Sequence, residues 1–109
     1  MKGSREEFEF IVIRAVDKLE PEAIGRKVIA LIQENFGYDI SDERVLHHLR
    51  RLSENERQPL SCDGDIPPGC TKVKTILRVS RFQVRPQGLD AIKLFRRLTE
   101  ERFKKLMAF

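Results

Sequence analysis

The feature that most constrains this chain is an interruption. Helical spacing of apolar residues stops at Phe36-Gly37 and resumes four residues later at Ser41. Upstream, Ile24, Val28, Leu31, Ile32 and Phe36 mark one face of a helix. Pro21 suits its first turn, where a missing N–H costs nothing. Gly37 predicts a left-handed C-cap, a conformation cheap only without a Cβ. After Tyr38-Asp39-Ile40, Ser41 is the predicted N-cap of the next helix, and Asp42 and Glu43 suit the positive end of its dipole. Val45, Leu46, Leu49 and Leu52 place its apolar stripe. Arg44, His47, His48, Arg50 and Arg51 fall mainly on the other side. Two helices joined this closely, the second with a basic and polar face, form a helix-turn-helix over about 21–55.

The flanking segments complete the architecture. A first helix is predicted from Ser4, its N-cap, to Leu19, with Phe8, Ile11, Val12, Ala15, Val16 and Leu19 as its buried stripe. Phe10 and Ile13 are apolar as well, so this helix expects cover on two sides, the second from a partner subunit. Residues 57–71 hold Pro59, Gly64, Pro67, Pro68 and Gly69, which is loop chemistry, with a short strand over Leu60 to Cys62. From Lys72 to Arg85 the run is rich in β-branched residues and reads as a strand. Its apolar residues change parity near Leu77 to Ser80, which predicts a bulge or break there. Pro86 ends the strand, Gly88 lies in the turn, and a last helix runs from about Leu89 to Leu106. The expected fold is α+β, mostly α. It is a single domain over 1–109, with a two-stranded β wing at about 57–85 and a C-terminal dimerisation helix at about 87–107.

The net charge is only +4, but it is unevenly spread. Residues 1–71 carry 10 Lys and Arg against 14 Asp and Glu, whereas residues 72–105 carry 11 against three. A basic half on a near-neutral chain is either a solvated helix face or a surface for a polyanion. The helix-turn-helix favours double-stranded DNA. A helix fits the major groove, side chains near its start read base edges, and cations and amides grip the phosphates. The candidate DNA-binding residues are Ser41, Arg44, His47, His48 and Arg51 on the third helix. Arg44 and His48 are four apart, as are His47 and Arg51, so each pair shares adjoining turns. Lys72, Lys74, Arg78 and Arg81, with Arg85, are the basic side chains expected on the wing. Phe8 and Ile11 of the first helix and Phe95, Leu98, Phe103 and Leu106 of the last are the expected homodimer contacts.

Other chemistries find little to stand on. The longest mostly apolar run, Phe8 to Val16, contains Glu9 and Arg14 and is too short to span a bilayer. Acidic residues precede it and no small-residue cleavage site follows, so the expected location is cytoplasmic, with no membrane partner. There is no Gly-rich phosphate loop and no metal-ligand spacing. Asp63 and Asp65 sit in a loop with no walled pocket, and neither an enzyme, a cofactor nor a metal site is expected. Adjacent His47 and His48 point about 100° apart on a helix, which suits surface residues better than ligands. Cys62 and Cys70 read as reduced loop thiols, with a redox- or effector-responsive switch as the alternative. A protein-interaction module on the same scaffold is the other alternative to DNA binding.

Segment 23–52, AIGRKVIALIQENFGYDISDERVLHHLRRL, resembles the helix-turn-helix of the PadR family of winged-helix regulators. The similarity lies in Phe36-Gly37, Ile40-Ser41 and the closing Leu49-Arg50-Arg51-Leu52. Segment 82–92, FQVRPQGLDAI, is similar to the family's exit from the wing into its last helix. The resemblance extends over roughly 5–107 and implies a dimeric transcriptional regulator, typically a repressor. The small size is also similar to that of the family's cyanobacterial period-extender group, which implies control of a circadian clock gene. The chain departs from the family pattern at Asp42, where a Pro is common, and at Leu46, where a Tyr is common. Base contacts are therefore not carried across. The wing loop is long, and the last helix is short for a family that dimerises through extended C-terminal helices.

Overall fold

The computed structural model describes residues 5–64, 66 and 69–98. In chain order they form α1 (Arg5–Leu19), α2 (Gly25–Phe36), α3 (Asp42–Leu52), β1 (Leu60–Cys62), α4 (Val73–Val79), β2 (Phe82–Val84) and α5 (Pro86–Leu98). The class is α+β and mostly helical, as the periodicities imply.

α1 is the element on which the rest is assembled. Phe8, Phe10, Ile11, Val12, Ile13, Ala15 and Val16 are all at most 5% exposed. α2, α3, α5 and β2 pack around it. The second apolar side of this helix is therefore covered by its own chain rather than by a partner subunit. Phe8 and Ile11, expected at a dimer interface, are fully buried in this core and present no surface to a second copy. Burying one such side chain stabilises by about 1.5–3 kcal/mol, so baring both for a partner would cost a large part of a small domain's stability of about 5–15 kcal/mol. Phe95 and Leu98 fall within α5, but their side chains, with Phe103, Leu106 and the predicted cap Ser4, lie outside the described residues.

β1 and β2 pair antiparallel, with Leu60 opposite Val84, Ser61 opposite Gln83 and Cys62 opposite Phe82. The other edge of β2 is also occupied. Ile24 forms a bridge with Arg81, the Phe82 N–H donates to the Ala23 carbonyl at 2.8 Å, and the Gly25 N–H donates to the Ser80 carbonyl at 3.0 Å. This ladder explains why α2 begins at Gly25 and not at Pro21. Pairing holds Ile24 extended, at φ −81° and ψ 140°, so the helix starts only after it. Ile24 offers no side-chain cap, and Ser80 instead satisfies the Gly25 amide, one of the N–H groups a helix start leaves open.

The largest departure from the sequence reading lies in the wing. Residues 73–79 form a helix, not a strand, and only Phe82–Val84 are extended. Val73, Ile76, Leu77 and Ser80 fall three, four and seven apart, which places them on one helical face. Leu77 and Ser80 are buried, and α4 packs on α2 and α3. Burial of that face overrides the β-branched composition. The change of parity near Leu77 to Ser80 is the junction between helix and strand rather than a bulge. Lys72, Lys74 and Arg78 thus belong to α4 or its start, and only Arg81 and Arg85 border the strand. α5 also begins earlier than expected, with Pro86 opening it and Gly88 inside its first turn. Gly37 does carry a positive φ of 128°, but with ψ of 143° it is extended rather than left-handed helical.

Candidate nucleic-acid interface

α3 is started and aimed by its flanking residues. The Ser41 hydroxyl accepts a hydrogen bond from the Arg44 N–H at 3.1 Å, the N-cap that the sequence implies. From α2, Gln33 Nε2 donates to the Ile40 carbonyl at 2.9 Å and to Asp42 Oδ1 at 2.8 Å. One side chain thereby ties α2, the turn and the first residue of α3 together. Gln33 is absent from the set read from sequence. Its signal is only that a polar residue follows the buried Ile32.

Val45, Leu46, Leu49 and Leu52 are buried, and His48 joins them at 7% exposure. His48 lies three residues after Val45 and four before Leu52, so it shares their face. Its ring centroid is 4.9 Å from that of Phe8 and 5.4 Å from that of His47. It therefore does not reach outward to DNA, contrary to the sequence reading. Arg44 is exposed, but its guanidinium lies 4.0 Å over the Phe8 ring, a cation–π contact that holds it against α1. Arg51 is half-buried and pairs with Glu9 of α1 at 3.5 Å.

The outermost line of α3 and the turn after it is therefore Glu43, His47, Arg50 and Glu54, spaced four, three and four apart, and all four are exposed. At 100° per residue this line lies about 80° around the helix from the centre of the sequence-derived set. Arg50, left out of that set, belongs to it. His47, Arg50, Arg51 and Glu54 line one shallow depression. Arg44 and Arg51 flank the line on the side of α1, and α4 flanks the start of the helix on the other.

The basic side chains of the α4 region do not stand free. Lys74 Nζ lies 2.6 Å from Glu43 Oε1, Arg78 Nη1 lies 3.3 Å from Asp42 Oδ2, and Arg81 Nη2 lies 4.0 Å from Glu22 Oε1. The Arg81 N–H also donates to Asp63 Oδ1 at 2.6 Å, which gives Asp63 a structural role in the loop. Hydrogen bonding to Lys74 and its positive charge hold the Glu43 carboxyl below the ordinary carboxylate range, and Arg78 adds a smaller push the same way. Asp42 and Glu43 therefore do more than complement the helix dipole. Lys72, also exposed, enters no ion pair among the described residues.

Cys62 and Cys70 are both half-buried and free. The Cys62 sulfur accepts from the Gly64 N–H at 3.3 Å, and the Cys70 sulfur from the Lys72 N–H at 3.4 Å. Among the described residues no three His, Cys, Asp or Glu side chains gather as a metal site, and no helix is long and apolar enough to cross a membrane. The chain matches no protein-family model, no curated protein and no solved structure.

Proposed function

We propose that this chain is a winged-helix DNA-binding regulator that reads double-stranded DNA with α3. The observation that carries the reading is the mounting of α3. It is capped by Ser41, held to α2 through Gln33, seated on α1 by buried apolar residues, and left open along His47 and Arg50. Such a helix is rigidly placed and offers donors that suit guanine O6 and N7 in the major groove. The strand order supports the same reading. The segment between α1 and α2 pairs with β2, and β2 pairs with the strand that follows α3, which is the order of a winged-helix sheet. In this reading α4 takes the place of the wing's tip, and Lys72, Lys74, Arg78 and Arg81 meet phosphates. Ser41 and the open amides of the start of α3 add a phosphate contact.

A homodimer fits the same function, since two copies read a symmetric site. The contact would run through α5, whose Leu94 is 59% exposed and whose Leu89 is 43% exposed. Selection from random duplex DNA at two salt concentrations tests the whole reading. Enrichment of a two-fold-symmetric motif, lost in Arg50→Ala, is the expected result. Absence of binding at low salt refutes it and favours a protein-interaction module.

A further inference from the structure

Three cations expected to grip phosphates are each matched by a carboxylate of the same chain: Lys74 by Glu43, Arg78 by Asp42 and Arg81 by Glu22. Two of these acids are the first two residues of α3, and the end of the helix that carries them is where DNA approaches in the proposed function. We propose that the carboxylates of Asp42 and Glu43 occupy on α4 the places of two DNA phosphates, so that the chain carries a built-in competitor for its own DNA-binding cations. This rests on the DNA-binding reading and names how that site is regulated.

The geometry suits exchange rather than permanent pairing. The Lys74 and Glu43 side chains are 59% and 71% exposed, and those of Arg78 and Asp42 are 45% and 39% exposed. Pairs this open are weak and screened by salt, so an incoming phosphate can displace either carboxylate. A phosphate diester presents the same anionic oxygens to Lys and Arg as a carboxylate does. The acids serve a second purpose when displaced. Left near the groove and acceptor-only, they suit the exocyclic amine of cytosine and repel a phosphate in the wrong register. The competitor thus lowers affinity for arbitrary DNA more than for a site whose bases satisfy it.

The test is a double-mutant cycle on the full chain, read as affinity for a mixed-sequence duplex. Glu43→Gln and Asp42→Asn keep the shape and the acceptor that Gln33 uses, and circular dichroism checks that each variant folds. Each is expected to bind about threefold to tenfold more tightly at 50 mM salt, the scale of one added phosphate contact, with the gain shrinking as salt rises. In a Lys74→Gln background the gain from Glu43→Gln is expected to vanish. An equal gain with and without Lys74 would mean that Glu43 only repels DNA at a distance, and it would overturn the proposal. No gain in a protein that binds DNA overturns it as well, while leaving the DNA reading intact. No binding by the wild type or any variant overturns both.

Discussion

Gly25 separates two physical arguments that point in opposite directions. It is the first residue of α2, and replacing a helical Gly by Ala ordinarily stabilises by about 0.5–1 kcal/mol. A Cβ at Gly25, however, would overlap the Leu77 carbonyl and approach Cα of Arg78 at 3.0 Å. These are backbone atoms, so no rotamer change relieves the clash, and α4 must move away from α2. That movement strains the bonds from Gly25 to Ser80 and from Phe82 to Ala23. Overpacking costs about 1–3 kcal/mol, and each weakened hydrogen bond adds about 1 kcal/mol. After the helix-propensity gain, Gly25→Ala is expected to destabilise by about 2–4 kcal/mol. In a domain of this size that lowers Tm by roughly 10–30 °C. Urea unfolding followed by circular dichroism measures it directly. Ala30→Gly, at an exposed position within α2, provides the reference and is expected to cost about 1 kcal/mol by propensity alone. Gly25→Ala that matches or exceeds wild-type stability would refute the close approach of α2 and α4.

Ser41→Ala is expected to destabilise by about 1 kcal/mol through loss of the cap on Arg44, with Ser41→Asp close to wild type; equal losses in both would remove the capping role. Glu43 is expected to titrate, by carboxyl NMR, below the range of an unperturbed glutamate, and Lys74→Gln should move it back toward that range. Its proton affinity is lower folded than unfolded, so the pair supports the fold above the ordinary glutamate pKa, and that support is lost as pH falls through the folded value. An unchanged titration in Lys74→Gln would show that the pair does not form in solution. Arg50→Ala is expected to weaken binding to a selected site more than His48→Gln does, because only Arg50 faces outward.

The helices α1 to α3 were legible because their apolar residues keep one period and Ser41 and Gly37 punctuate them. What the sequence hid was tertiary. Nothing local announces that Ala23 and Ile24 join a ladder whose other partner lies nearly 60 residues away, so the start of α2 was misplaced at Pro21. Val73, Thr75, Ile76 and Val79 favour strand locally, yet burial of Leu77 against α2 and α3 makes a helix. The outward face of α3 was read with the wrong rotation. Charged and polar character alone put His48 outside, although its spacing from Val45 and Leu52 placed it inside. The ion pairs of Asp42 and Glu43 depend on where α4 packs, and a strand reading could not have paired them.

The position of β2 also predicts which amides exchange most slowly. Helices α1 to α3 contain contacts between near neighbours and can form early, whereas β2 joins residues 23–25 and 60–63 across long stretches of chain. Closing those two large loops carries an entropic cost that is repaid only when both edges are filled. The Phe82 amide is bonded to Ala23 at 2.8 Å in the fully buried centre of that ladder and therefore reports on its long-range closure. It should exchange with solvent only when the whole molecule opens, while the outer turns of α3 exchange through local fraying.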